Sequence, residues 1–343
     1  MPYFPPEWHP QQAVLLVWPH LSTDWENNLN LAETSYLAMV EAITQHEEAW
    51  IVCRDKSHQQ RVAELLSQYG VNSDRTKLRL AAYDDTWVRD YGPITLLKNG
   101  QRVFLDFEFN AWGDKYSYTD DNQLTHQLFQ RGDLSNGSYA KQNWVLEGGS
   151  IETDGAGSLM TTSSCLLNSN RNGLISKEAI TDRLIESLSI EQVHWINFGH
   201  LQGDDTDSHI DTLVRFAPGN VIVYQGCESK KDGHYQELQR MAEQLSQLRN
   251  TAGERYELVP LPLPTPIHNQ SGQRLPASYA NFLITNDAVL VPTYDDQQDD
   301  RVLKRLETVF PQRTIVPIPA LPLIEQFGSV HCLTMQIPKA NSD

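Results

Sequence analysis

A strand that runs into a polar cluster, followed by a second strand, recurs along this chain and constrains its fold more than any other feature. The copies read DDTWVRDYGPITLL, VLEGGSIETDGAGSLMTT, DDTDSHIDTLVRF with GNVIVY, ASYANFLITNDAVLVP and GSVHCLTMQIP. Units that each deliver polar residues at a strand end predict a closed ring of α/β units around a central site. Further short apolar runs at 13–18, 49–53, 103–107, 159–162, 193–196, 221–224, 282–284 and 289–292 read as strands. Helical spacing links Leu29, Ala32, Tyr36, Val40 and Ile43, then Leu238, Met241, Leu245 and Leu248, then Val302, Leu303, Leu306 and Phe310. Shorter helices are expected at 57–69, 119–131 and 176–188. That makes six helices where five units need five, so the helix at 57–69 is read as an addition.

No Gly/Ser or Pro tract breaks the alternation, so residues 1–343 are expected to form one domain. The stretch PLPLPTPIHNQSGQ at 260–273 reads as a functional loop rather than a hinge.

Four polar clusters carry chemistry. In WVRDYGP the Tyr-Gly-Pro segment demands a turn beside Asp90. Asp90 either caps that turn or, with Asp84, Asp85 and Trp87, belongs to a cation site of carboxylates and an aromatic face. In LEGGS, Glu147 ends an apolar run and two glycines follow, so its carboxylate either binds loop amides or serves a site. In GDDTDSHID, His209 and Asp211 alternate, so in a strand they share a face and suit acid/base work. The same segment also reads as a divalent-metal site or as an acidic surface loop.

The fourth cluster is SVHCLTMQ. Buried cysteines are ordinarily small hydrophobes, and Cys53, Cys165 and Cys227 are read that way. Cys332 differs because it follows a Gly328-Ser329 bend at an expected strand start, in a chain with an Asp/His cluster elsewhere. Adjacent strand residues point oppositely, so His209 is a better partner for Cys332 than His331.

These clusters and their neighbours resemble the agmatine deiminases and the Porphyromonas-type peptidylarginine deiminases of the guanidino-group-modifying superfamily. The resemblance rests on eight segments in the family's order: EWHPQQAVLLVWP, DDTWVRDYGP, FNAWGDKY, VLEGGSIETDG, CLLNSNRN, DSHIDTLVRF, ASYANF and VHCLTMQ. It implies a five-bladed α/β propeller, the pentein fold. It also implies that Cys332 is the nucleophile, His209 the general acid/base and Glu147 a carboxylate that orients the guanidinium. Asp90 and Asp211 would grip the guanidinium nitrogens, and Trp87 and Trp112 would line the channel. The implied reaction hydrolyses agmatine to N-carbamoylputrescine and ammonia through a covalent thiouronium, with no metal, nucleotide or redox cofactor. Carboxylates near Cys332 disfavour a thiolate, so the free enzyme is expected to hold a thiol that the cationic substrate and protonated His209 help to ionise.

Arginine or peptidylarginine deimination, amidino transfer, Asp/His metal hydrolysis and a silent binding module stand as alternatives. Two departures bear on substrate choice. The family's glycine run before the His-Cys pair is reduced here to EQFGSVHC, and its Asp-Gly-His is here Asp207-Ser208-His209.

The charge balance agrees with a cationic partner. With 27 Lys+Arg against 44 Asp+Glu the formal net charge is −17, which disfavours phosphate backbones and so nucleic acid. No apolar stretch approaches a membrane span. The four cysteines show no CxxC spacing and the N-terminus no secretion signal, so reduced thiols in the cytoplasm are expected. The family often assembles as dimers or larger homo-oligomers.

Overall fold

The computed structural model describes residues 2–340. Its sheets follow one plan, fixed by the need of parallel strands for a helical crossover. β1 (Gln11–Val17) runs parallel to β2 (Glu48–Cys53) through α1 (Leu29–Thr44), and β2 continues through α2 (Lys56–Tyr69) to parallel β3 (Thr76–Leu80). In the second sheet β4 (Ile94–Lys98) pairs antiparallel with β5 (Gln101–Glu108), and α3 (Leu124–Gln130) crosses to parallel β6 (Gly137–Val145). The third repeats this with β7 (Ile151–Thr153), β8 (Ser158–Thr162), α4 (Lys177–Leu188) and β9 (Gln192–Ile196). The fourth uses β10 (Val214–Ala217), β11 (Val221–Gln225), α5 (Tyr235–Leu245) and β12 (Glu257–Leu261). The fifth uses β13 (Leu283–Ile284), β14 (Ala288–Thr293), α6 (Asp299–Val309) and β15 (Thr314–Pro319). Finally β16 (Thr334–Pro338) pairs antiparallel with β1, so the last strand completes the first sheet.

Each of the six expected helices is present, and α2 with β3 is the addition that only the first sheet carries. Asp55 starts α2 by accepting from the His58 amide, and Gly70, at φ 83°, ends it in the left-handed region. Helical spacing buries Leu238, Met241 and Leu245 on α5 and Val302 and Leu306 on α6. β1 lies between β16 and β2 and packs its Ala13–Val17 run on both faces, which explains an unbroken apolar stretch without alternation. Several third strands escaped the pattern reading. β12 and β15 contain Pro260, Pro317 and Pro319, and proline argues against a strand unless the strand is at an edge, as both are here.

The polar clusters occupy equivalent places. Residues 84–93 precede β4, 147–150 precede β7, 204–212 precede β10, 277–282 precede β13 and 328–333 precede β16. Each therefore enters the first strand of an antiparallel pair. One expectation needs correction: His209 and Asp211 do not alternate on a strand. Ile210–Thr212 is a turn of 3-10 helix, because Asp204 winds the preceding loop by accepting from the amides of Thr206 and Ser208. Asp207 and Ser208 sit at φ 64° and 68° in that loop.

Candidate active site

Asp90 lies in the short helix Val88–Tyr91 rather than at a strand end, and it does not meet Arg89. Arg89 turns instead to the carbonyl of His331 and to Gln336. Asp90 Oδ1 accepts from the Gly149 amide at 2.8 Å, and Oδ2 accepts from the Trp112 indole at 3.0 Å. Burial pushes the Asp90 carboxyl up to about 6; charged His209 opposes this, while Asp211 and Glu147 add to it. Gly149 is required here by space. A Cβ on it would stand 2.6 Å from Asp90 Oδ1, 2.7 Å from His209 Nδ1 and 3.1 Å from Asp211 Oδ2. The diglycine thus lets a main chain pass among three site residues.

Glu147 is fully buried. Its Oε1 accepts from Arg171 Nε at 2.9 Å, and its Oε2 has no partner. Arg171 also binds Asp207, Asn170 Oδ1 and the Thr206 carbonyl, tying Glu147 to the loop that carries His209. His209 is buried, with Nδ1 3.5 Å from Asp90 Oδ1 and Nε2 3.9 Å from Glu147 Oε2. Burial disfavours its charged form, yet Asp90, Cys165 and Glu147 outweigh that and hold its pKa well above the usual value. An imidazole that keeps its proton beside carboxylates is a ready general acid.

Cys332 lies at the turn into β16 and is 7% exposed. Its Sγ is 3.2 Å from Asn281 Nδ2 and 3.6 Å from Asp211 Oδ2. Burial, Asp211 and Asp90 together push this thiol well above the usual range. His331 and Cys332 lie in a turn rather than on a strand, and the His331 ring joins two carboxylates, Asp211 and Glu7, with Asp211 Oδ2 shared between His331 Nδ1 and the sulfur. Among the described residues no hydrogen bond links Cys332 to His209; both approach Asp211 and Asp90 instead.

A narrow cleft opens over Cys332, and Trp87, Asp90, Trp112 and Phe327 line it with Asp24, Asp85 and Asp205. Trp87 donates to Asp85, packs on Trp25 at 5.5 Å and lies so close to Gly328 that a Cβ there would be 2.2 Å from its ring. Burial holds the Asp85 carboxyl up at about 7. Tyr116 donates to Asp205 at 2.8 Å. The loop at 260–273 does not line this cleft; its prolines border a separate groove with Cys227 and Asp232.

The acidic run does not form the metal site that one reading allowed. Asp204 holds its own loop, Asp205 takes Tyr116 and Asp207 takes Arg171. A different trio, Glu147, Cys165 and His209, offers ligand atoms within 4.8 Å of one another. Arg171 ties Glu147 Oε1 and leaves Oε2 free, and the carboxylates around the His209 imidazole favour its protonated form, which has no lone pair to give. Cys165 is buried as expected, yet it is also a neighbour of His209.

The structure thus brings Asp90, Glu147, His209, Asp211 and Cys332 together beneath Trp87 and Trp112. Reading the residues missed Glu7, Arg171 and Asn281. All three lie inside segments that carry the family resemblance, and Asn281 sits before β13, where its unit should deliver a polar residue.

The model of the Porphyromonas-type peptidyl-arginine deiminase family matches residues 3–338. The agmatine deiminase of Ectopseudomonas mendocina is 30% identical, over 98% of this chain and 95% of its own. The C. jejuni agmatine deiminase, solved as a cysteine variant with substrate bound, superposes with a TM-score of 0.91 at 34% identity, covering 99% of this chain and 97% of that one. A Porphyromonas gingivalis protein with a provisional arginine deiminase name superposes with a TM-score of 0.92 at 43% identity, covering 99% of both chains. An amidinotransferase of Microseira wollei, at 12% identity and TM-score 0.55 over 98% of this chain and 96% of its own, shares the pentein fold alone.

Proposed function

The chain belongs to the Porphyromonas-type peptidyl-arginine deiminase family, and on that premise we propose that it hydrolyses agmatine to N-carbamoylputrescine and ammonia. The observation that carries the substrate choice is the wall of the cleft. Asp24 and Asp205 flank the approach to Cys332, Asp85 adds a carboxyl that burial keeps partly protonated, and no Lys or Arg is among the lining residues. Agmatine carries an amine at the end remote from its guanidinium, whereas free arginine carries a carboxylate there. An acidic wall attracts the first and repels the second.

In this reading Asp90, Glu147 and Asp211 receive the planar guanidinium, whose N–H groups suit carboxylate acceptors. Glu147 Oε2 and Asp211 Oδ1 are buried acceptors without partners, so bound substrate satisfies both. The substrate cation offsets the carboxylates that hold Cys332 as a thiol, and the proton lost from Sγ passes to a neighbouring base. The thiolate attacks the guanidinium carbon and forms a tetrahedral adduct. His209 protonates the departing nitrogen, the C–N bond breaks and ammonia leaves a thiouronium on Cys332. Neutral His209 then takes a proton from water, whose oxygen attacks the same carbon; the C–S bond breaks and the ureido product departs. Trp87 and Trp112 flank the alkyl chain.

We further propose that residues 1–343 act as one domain, which the β1–β16 pairing of chain ends supports. The chain works in the cytoplasm as a homo-oligomer, and no helix among the described residues is long and apolar enough to cross a membrane.

The deciding experiment incubates the protein separately with agmatine, arginine and a peptide ending in arginine. It reads ammonia release, product mass and the adduct mass on Cys332. Turnover of arginine with none of agmatine overturns the substrate choice. A requirement for an acceptor amine would indicate amidino transfer. Full activity of Cys332→Ala would remove the covalent mechanism.

A further inference from the structure

Asp211 and Glu147 share an arrangement: one carboxylate oxygen is tied to the nitrogen of a buried side chain and the other is left unpartnered. Arg171 does the tying for Glu147. For Asp211 it is His331, whose Nδ1 lies 2.7 Å from Asp211 Oδ2 while its Nε2 lies 2.7 Å from Glu7 Oε2. All three side chains are buried, His331 to 1% exposure. Glu7 comes from the turn before β1, about as far along the chain from Cys332 as the fold allows.

We infer that Glu7 is a positioning residue: through a His331 that donates from both ring nitrogens, it fixes Asp211 and aims the free Asp211 Oδ1 at the substrate. The inference rests on reading Asp211 as a guanidinium-binding carboxylate. Two ionised carboxylates only accept hydrogen bonds, so an imidazole bridging them must carry a proton on each nitrogen. Glu7 is ionised despite its burial, because Arg215 and Arg89 stand beside it at 2.9 and 3.5 Å and the Ile284 amide donates to it at 2.6 Å. Asp211 is held below the ordinary carboxylate range too: burial opposes ionisation, and the bond from His331, with His209 and Arg215 nearby, outweighs it.

The position of the ring is fixed from its backbone as well. The Asn281 side chain accepts from the His331 amide at 3.0 Å, and Arg89 Nε donates to the His331 carbonyl at 3.3 Å. With the main chain held, the only freedom left to the imidazole is rotation, and Glu7 and Asp211 clamp that from opposite ends. If Glu7 is neutralised, the bridging proton loses one anion and the hold on Asp211 slackens. Cys332, the next residue, is 3.6 Å from the same Asp211 oxygen, so a shift there reaches both substrate and nucleophile.

The test begins on the wild-type protein, with imidazole nitrogens labelled and the His331 signals assigned by their loss in His331→Gln. Imidazolium shifts on both nitrogens at neutral pH are expected, and a neutral ring overturns the inference whatever the activity. Next, kcat/KM for agmatine is measured for Glu7→Gln, His331→Gln and the double variant. Each single change should lower it by about 10- to 100-fold, as for other groups that orient an acting one. The double variant should lose no more than the worse single, because both act along one path. A folded Glu7→Gln within twofold of wild type overturns the inference, as does a double variant whose loss is the product of the two singles. If Glu7→Gln does not fold, the wild-type nitrogen shifts decide alone. A wild-type protein inert toward agmatine sinks the functional reading instead and leaves those shifts standing.

Discussion

Arg171 Nε donates to Glu147 Oε1 at 2.9 Å, with both side chains wholly removed from solvent, while Glu147 Oε2 is left without a partner. This half-satisfied carboxylate is costly to keep unless something arrives to complete it. Arg171→Gln should lower kcat/KM for agmatine about 100-fold, since a buried donor that fixes a charge-stabilising group is worth roughly 3 kcal/mol. It should also lower the melting temperature, because removing one member of a buried ion pair costs about 3–5 kcal/mol. Steady-state kinetics with thermal denaturation checks both, and a variant within threefold of wild type would show that the pairing is idle.

The acidic wall of the cleft makes a separate prediction. Asp24 is exposed at its mouth and Asp205 is half-buried beside Tyr116. Asp24→Asn and Asp205→Asn should each raise KM for agmatine about 2- to 5-fold with little change in kcat, the effect of losing a charge contact of roughly 0.5–1 kcal/mol. The difference from wild type should shrink as salt is added. An unchanged KM in both variants would remove the electrostatic basis for preferring agmatine to arginine.

Cys332 should behave as a reluctant thiol. Burial, Asp211 and Asp90 raise its pKa, so raising pH toward and beyond the ordinary thiol range should keep accelerating alkylation by iodoacetamide. Asp211→Asn removes a negative charge, lowers the Cys332 pKa and so should speed labelling at neutral pH. Mass spectrometry of the modified cysteine follows both. A labelling rate already level between pH 6 and 9 would mean a preformed thiolate and contradict the geometry.

Ser208 departs from the family's Asp-Gly-His pattern, and the backbone shows what the departure entails. Its φ of 68° is the left-handed region, where a Cβ crowds the following carbonyl. Ser208→Gly should stabilise the fold by about 0.5–1 kcal/mol, the strain relieved less the entropy that glycine adds to the unfolded chain. Urea denaturation measures it, and a loss of stability would show that the serine compensates through contacts of its own. Phe327, at φ 67° in the shortened glycine run, carries the same strain but also lines the cleft, so its replacement should alter agmatine binding too.

Local chemistry made much of this protein legible in its sequence. The repeat announced five α/β units, the apolar spacing located all six helices, and the helix at 57–69 stood out as surplus because a sixth had no unit to serve. Asp90, Glu147, His209, Asp211 and Cys332 were readable because each sits in a polar cluster at the start of a unit. The strands containing Pro260, Pro317 and Pro319 were not, since only the finished sheet shows that they are edges. The acid/base pairing of His209 with Asp211 does not form: Asp204 winds the loop, His209 faces Asp90 and Glu147, and Asp211 takes His331.

What the sequence determined by itself was which residue types are available and how often they recur, because periodicity and turn chemistry are properties of neighbours along the chain. What only the tertiary structure decided was their state. Whether an oxygen is tied or free, and whether a thiol or an imidazole keeps its proton, depends on burial and on charges from distant segments. Arg171 reaches Glu147 across 24 residues, and Glu7 reaches His331 across 324. No local pattern encodes those distances, and they are what make these carboxylates a site.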